Sequence, residues 1–134
     1  VLYLKQRREN MIAITDAGMS ELIRPALYDA VHQILPLNNG STEGMYDIVG
    51  PICESGDFFA KKYRMPGVKE GESLVVAHAG AYGSVMSSNY NTRPFVPEFL
   101  IDGDNFQVIR KPQAPGQIFA LENIEGDHSF DRVR

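Results

Sequence analysis

The sequence predicts a mainly β fold, a Greek-key-like β-barrel or sandwich with a few short helices, and three observations lead there. Short apolar runs recur along the chain, as in "MYDIVG", "SLVVAHAG" and "FQVI", and their length suits strands better than helices. Turn-forming pairs such as Asp102-Gly103 and Pro115-Gly116 punctuate them. The helix-forming stretches in between are too short for doubly wound α/β architecture, so a β fold decorated with helical turns is the better match.

Taken in order, Val1 to Lys5 and Met11 to Thr15 read as two strands joined by the polar loop "QRREN". Pro25 discourages helix before it and does no harm in a first turn, where its missing N–H has no partner to lose. A short helix is therefore expected from Pro25 to about His32. "LPLNNGSTEG" reads as a loop and "MYDIVG" as the next strand. Ser55 is a candidate cap for a second short helix, with Asp57 in its first turn and Lys61 and Lys62 in its last, an order that suits the helix dipole. After the turn at "MPGVKEGE", the β-branched content of "SLVVAHAG" indicates a buried strand running into the small-residue segment "GAYGSVMSSNYN". "FVPEFLI", "DGDNFQVI" and "GQIFAL" complete the strands, and "ENIEGDHSFDRVR" reads as a polar periphery.

At 134 residues and 43% hydrophobic content, the chain has room for one domain with a real core. Thirteen Lys and Arg against seventeen Asp and Glu give a net charge of −4, which offers no footprint for nucleic acid or an anionic membrane surface. One cysteine cannot form an internal disulfide, and the opening "VLYLKQRREN" turns polar too early for a signal peptide or a membrane span. A reducing cytoplasm is the expected setting. The opening residues already alternate like the middle of a strand and lack an initiating Met, which suggests a piece of something longer.

Candidate chemistry gathers at few positions. Cys53 follows a Gly50-Pro51 turn and precedes Glu54 and the expected helix. A helix N-terminus favours thiolate and an adjacent carboxylate opposes it, so the pair points to a thiol that holds a proton and donates it on demand. The plainer reading is a small buried hydrophobe. Arg24 and Tyr28, four positions apart, share one side of a helical turn and suit a two-pronged carboxylate clamp with a phenol as third donor; the alternative is a surface Arg lying along a Tyr ring. Tyr82 in "AGAYG" stands between glycines that would let an anion approach, or it plugs a tight turn. His32, His78 and His128 are too scattered for metal-ligand spacing and read as structural or exposed. Asn39 in "NGS" matches a glycosylation acceptor, by chance if the protein is cytoplasmic. No nucleotide-type phosphate loop and no Cys or His cluster is present in the sequence.

The strings "DAGMSELIRPALYDA", "VGPICESGDFFAKK" and "AGAYGSVMSSNYNTRP", in that order, resemble the C-terminal part of the diaminopimelate decarboxylases, which are pyridoxal 5'-phosphate enzymes. The resemblance runs from Val1 to about Pro112. It implies the β-barrel domain, residues 1–112, of a two-domain enzyme of the alanine racemase and ornithine decarboxylase kind, with residues 113–134 as a peripheral tail. The cofactor-binding (β/α)-barrel, with its Schiff-base lysine, lies outside this chain, so the chain alone is expected to be inactive. The implied whole is a homodimer that converts meso-2,6-diaminoheptanedioate to L-lysine and carbon dioxide, the last step of lysine biosynthesis. The domain also takes a strand from the polypeptide's far N-terminus in that family, which would leave an open edge here.

By the same resemblance, Arg24 and Tyr28 hold a substrate carboxylate. Cys53 supplies the proton that replaces carbon dioxide, reaching the neighbouring subunit's site, and Glu54 receives the distal ammonium. Tyr82 touches both cofactor phosphate and substrate. The usual "YDAYH" reads "YDAVH" here, with Val31 in place of an aromatic. The alternatives are a related decarboxylase of the carboxynorspermidine or ornithine/arginine type, or a non-catalytic dimerisation or ligand-binding module.

Overall fold

The computed structural model describes residues 1–38, 40 and 42–122. Strand β1 (Tyr3–Arg7) turns back at Arg8, whose φ is +38°, into β2 (Asn10–Ile14). Helix α1 (Arg24–Tyr28) and β3 (Ile34–Pro36) precede the two longest strands, β4 (Glu43–Val49) and β5 (Phe58–Pro66). Next come β6 (Leu74–Val76), helix α2 (Gly80–Gly83), and 3-10 turns at Ser84–Met86 and Tyr90–Thr92. A hairpin of β7 (Glu98–Asp102) and β8 (Asn105–Arg110) and the one-turn helix α3 (Pro115–Ile118) follow.

The strands form a four-stranded sheet in the order β1-β2-β4-β5 and two pairs, β3-β6 and β7-β8. The pairing is antiparallel except between β2 and β4, which run parallel with Ala13 opposite Ile48. The expectation of a mainly sheet domain holds. Among the described residues the pairings make three separate sheets and no closed ring of strands.

Alternation explains the core. In β4, Tyr46 and Ile48 face inward, and in β5, Phe59 and Met65 do the same; with Ala13, Leu22, Ile34 and Val68 they form the buried cluster. The short pair β3-β6 caps it, tied to β5 where the Ile34 N–H donates to the Tyr63 hydroxyl at 3.0 Å. The β4-β5 ladder slips around Asp47, whose carboxylate accepts the Lys62 N–H at 2.8 Å while Lys62 takes a φ of +51°. Such an irregularity bends the strand and re-aims its side chains.

Several local expectations are corrected. The helix expected after Ser55 is absent: Phe58–Pro66 is strand β5, because pairing with β4 buries Phe59 and Met65 near the two ends of one nine-residue run. Helix α1 ends at Tyr28 and not near His32, since Asp29 turns left-handed at φ +52° and closes the helix with its N–H on the Arg24 carbonyl. "SLVVAHAG" pairs only over Leu74–Val76 and is half-buried, with Val75 exposed. "GQIFAL" is helical at Pro115–Ile118, where the Gln117 side chain accepts the Ala114 N–H at 2.7 Å. The hairpin at the start is tighter than read, with strand pairing carried through Gln6 and Arg7.

Ile48, fully buried on the central strand, gives the sharpest test of this core. Ile48→Ala should cost about 3 kcal/mol in urea unfolding, whereas Val31→Ala, at a site 92% exposed, should stay within about 0.5 kcal/mol.

Candidate functional site

The connection between β4 and β5 is the most tightly specified loop of the molecule. Its ends meet where the Gly50 N–H donates to the Asp57 carbonyl at 3.1 Å. The Asp57 side chain is 4% exposed, and each of its oxygens accepts a backbone N–H at 2.6 Å, one from Ile52 within the loop and one from Met19 on the segment before α1. Two glycines make room for it. A Cβ at Gly50 would lie 2.3 Å from one carboxylate oxygen and a Cβ at Gly18 would lie 2.6 Å from the other.

With Ile52 buried beneath, Cys53 and Glu54 occupy the outer side of this loop, and both are exposed. The Cys53 thiol is therefore not a core hydrophobe. The cause differs from the sequence reading: a strand follows, so a turn held by Asp57 presents the thiol, with no helix N-terminus beside it. Glu54 folds back so that its carboxylate accepts the Gly56 N–H at 2.9 Å, and it borders a shallow recess of about 440 Å³ shared with Met19, Ile23, Ser88 and Tyr90.

Ile23 leads directly into α1, which starts with Arg24. The Arg24 guanidinium lies over the Tyr82 ring at 5.6 Å from its centroid, a cation–π contact that orients both groups. Among the described residues Arg24 has no carboxylate partner. Tyr28, at the far end of α1, is 60% exposed, and Tyr82, on α2, is 58% exposed. The structure thus brings Arg24 and Tyr82 together, leaves the Tyr28 phenol open to solvent on the same short helix as Arg24, and sets Glu54 in the next recess. Among the described residues no hydrogen bond or ring contact links Cys53 to Arg24, Tyr28 or Tyr82.

The "AGAYGSVMSSNYNTRP" segment is held from below by residues that sequence reasoning left unassigned. Arg93 donates from Nε to the buried Ser20 hydroxyl at 3.1 Å and pairs with Glu21 at 3.4 Å. The Ser88 N–H donates to the Ser20 carbonyl at 3.0 Å. From the hairpin, Arg110 donates to the Ser84 hydroxyl at 2.8 Å and forms an ion pair with Glu98 at 2.9 Å whose angle falls short of a hydrogen bond. The signal for Arg93 lay in its position before Pro94, at the end of an otherwise uncharged run. Asp57 was seen, but assigned to a helix dipole.

His32 is buried, with Nδ1 against the Ala77 carbonyl at 3.1 Å, and His78 is exposed, in keeping with structural or surface roles. His128 and Asn39 lie outside the described residues. Among the described residues there is no cluster of three or more metal-ligating side chains.

The polar groups near α1 and the β4-β5 turn are a guanidinium without a carboxylate partner among the described residues, two phenols, a carboxylate and a thiol, all on a sheet scaffold. The chain belongs to the pyridoxal-dependent decarboxylases, whose "C-terminal sheet domain" matches residues 1–80. It is 44% identical to the diaminopimelate decarboxylase of Vibrio cholerae over 125 residues, which cover 92% of this chain and 30% of that protein. With the enzyme of the same name from Pseudomonas fluorescens it shares 47% identity over 125 residues, again 92% of this chain and 30% of the relative. It is also similar to the crystal structure of diaminopimelate decarboxylase from Helicobacter pylori complexed with L-lysine, with a TM-score of 0.83 and 39% identity over 91% of this chain and 30% of that one. The chain therefore spans about 30% of the length of the curated relatives it matches.

An exposed thiol on a fixed turn should react without unfolding. Ellman's reagent should titrate one thiol per native chain, at a rate that denaturant changes by no more than a few-fold; a thiol that reacts only after unfolding would contradict the placement of Cys53.

Proposed function

We propose that this chain is the substrate-facing C-terminal domain of a pyridoxal-phosphate decarboxylase that converts meso-diaminopimelate to L-lysine and carbon dioxide. The observation that carries the reading is the exposed Cys53–Glu54 turn, locked in place on the same chain as an Arg24–Tyr82 pair that lacks an anionic partner among the described residues. The relatives named above carry the same enzyme name at 44% and 47% identity.

The residues present fit the cofactor's periphery. Tyr82 has a largely exposed phenol, and a Cβ added at neighbouring Gly80 would meet nothing within 4 Å, so a phosphate has room to approach and a donor to meet it. Pyridoxal phosphate, when bound, supplies the electron sink for loss of carbon dioxide; its Schiff-base lysine is assigned to the preceding domain. The roles of this chain's residues follow from their chemistry. Arg24 takes a substrate carboxylate in a bidentate grip, aided by the Tyr28 hydroxyl. Glu54 accepts from the distal ammonium. Cys53 delivers a proton from its thiol Sγ to the substrate carbon that loses carbon dioxide; solvent then reprotonates the thiolate.

Selectivity comes from the distal end. Diaminopimelate presents a second amino-acid centre, whereas ornithine or lysine would leave Arg24 without an anion, a penalty that discriminates strongly. The same reading includes a homodimer in which Cys53 and Glu54 serve the neighbouring subunit's site. It also includes closure of the three sheets into a barrel by a strand from elsewhere in the full polypeptide. In support, the Leu4 N–H on β1 finds a Glu70 side chain at 2.9 Å instead of a strand. Residues 1–112 form the domain proper and 113–134 its tail, although similarity to the relatives, covering 92% of the chain, continues past Pro112. A cytoplasmic setting fits a biosynthetic enzyme; among the described residues no helix is long and apolar enough to cross a membrane.

The test joins this chain to its cofactor-bearing domain and follows carbon dioxide release from meso-diaminopimelate, ornithine, lysine, arginine and carboxynorspermidine. Diaminopimelate should be the preferred substrate by kcat/KM. Cys53→Ala should lower kcat by about 100-fold or more while moving KM only a few-fold. Arg24→Gln should instead raise KM for diaminopimelate about 10- to 100-fold. Turnover unchanged in Cys53→Ala would remove the thiol from the reaction, and preference for a substrate without a distal carboxylate would replace the assignment.

A further inference from the structure

Asp57 makes four contacts, three within the eight residues from Gly50 to Asp57 and one to Met19 outside them. Its carbonyl accepts the Gly50 N–H at 3.1 Å and its N–H donates to the Glu54 carbonyl at 3.0 Å, so the backbone alone closes the turn. Its carboxylate then accepts the Ile52 N–H, directly before Cys53, and the Met19 N–H on a different segment, both at 2.6 Å. Hydrogen bonds to an ionised acceptor are short and roughly twice as strong as neutral ones. A buried carboxylate must also be fully matched to be tolerated. Turn closure needs only the backbone contacts. The carboxylate adds something the backbone cannot: it fixes the turn to the strand of chain that leads through Leu22 and Ile23 into Arg24.

The glycines show how tightly this arrangement is cut. Any side chain at Gly50 would collide with the carboxylate at 2.3 Å, and any at Gly18 at 2.6 Å. Neither glycine has a positive φ, so conformational freedom does not explain them, and room for the carboxylate does. The recess bordered by Glu54 is lined by Met19 and Ile23. The same carboxylate that anchors Met19 therefore shapes the wall against which Glu54 rests.

We infer that Asp57 is a positioning residue for the reaction proposed above, holding the turn that carries the Cys53 thiol and the Glu54 carboxylate in place. This inference rests on that proposed function. Asp57 touches neither substrate nor cofactor; it acts through the turn. Removing its charge while keeping its shape should loosen the turn, misplace the proton donor and leave Arg24 and Tyr28 able to bind the distal carboxylate.

The experiment compares Asp57→Asn, Gly50→Ala, Cys53→Ala and the core control Ile48→Val in the decarboxylase that carries this chain as its C-terminal domain. In Asp57→Asn the amides of Met19 and Ile52 should exchange with deuterium about tenfold faster or more, with amides of β4 unchanged. Its kcat should fall about tenfold or more, with KM for meso-diaminopimelate within a few-fold of the parent. Gly50→Ala, which keeps Asp57 but displaces its carboxylate, should reproduce both effects and guards against failure of the first variant to fold. Ile48→Val should lower the melting temperature without lowering kcat, which separates positioning from stability. Unchanged exchange at Met19 and Ile52, or unchanged kcat beside a Cys53→Ala variant that is crippled, would overturn the inference alone. Unchanged kcat in both Asp57→Asn and Cys53→Ala would bring down the proposed function with it.

Discussion

A carboxylate shut away from solvent, bonded by two backbone amides from separate stretches of chain, is the constraint on which the functional face depends. Asp57 is held by Met19 on one side and Ile52 on the other. Because both donors are main-chain groups, the link survives most side-chain variation, and only glycine is admitted at positions 18 and 50. An ion pair between two exposed side chains would give a far weaker fix, since such pairs lose most of their energy to solvent and side-chain entropy. The exposed Arg64–Glu43 pair at 3.5 Å on the β4-β5 ladder is of that weaker kind.

Around this fixed point the domain separates rigidity from reactivity. The elements below are buried: Ile48 and Ala13 side by side in the parallel ladder, Phe59 and Met65 on β5, Ser20 under Arg93. The groups above are open: Cys53, Glu54, Tyr28 and Tyr82 are all exposed, and Arg24 is half-covered by the ring of Tyr82. Many large apolar side chains on the β7-β8 hairpin are open as well, among them Phe99, Ile101 and Phe106. A domain of roughly 30% of its relatives' length need not satisfy these surfaces by itself.

What the sequence revealed depended on whether the deciding interaction was local. Strand β4 and the β7-β8 hairpin were legible because alternation and the Asp102-Gly103 turn signal act over a few residues. That Arg24 and Tyr28 share a helical turn was legible because four residues make one turn, and the motif strings pointed to the family that the residue-level comparison bears out over residues 1–80. The region after Ser55 was misread because capping chemistry and dipole order were satisfied on paper, whereas the true determinant was burial of Phe59 and Met65 against the strand on the other side of an eight-residue connection. Asp57 was legible only as a first-turn residue of the expected helix, because its partner Met19 lies 38 positions upstream and no local rule connects them. The contact of Arg24 with Tyr82 spans still more of the sequence, and no local rule connects that pair either.

The parallel pairing of β2 with β4 has a kinetic corollary. Since both strands point the same way, the chain must travel through residues 15–42, including α1 and β3, before the central ladder can zip. Closing a segment of that length demands conformational entropy in advance of any ladder energy, so the opening hairpin has to wait for β4 and β5 to be synthesised. The guanidinium-bearing helix rides inside that long excursion, and the thiol-bearing turn joins the very strands whose arrival ends the wait. Neither the helix that bears Arg24 nor the turn that bears Cys53 is held by local contacts alone, since each leans on partners across that excursion.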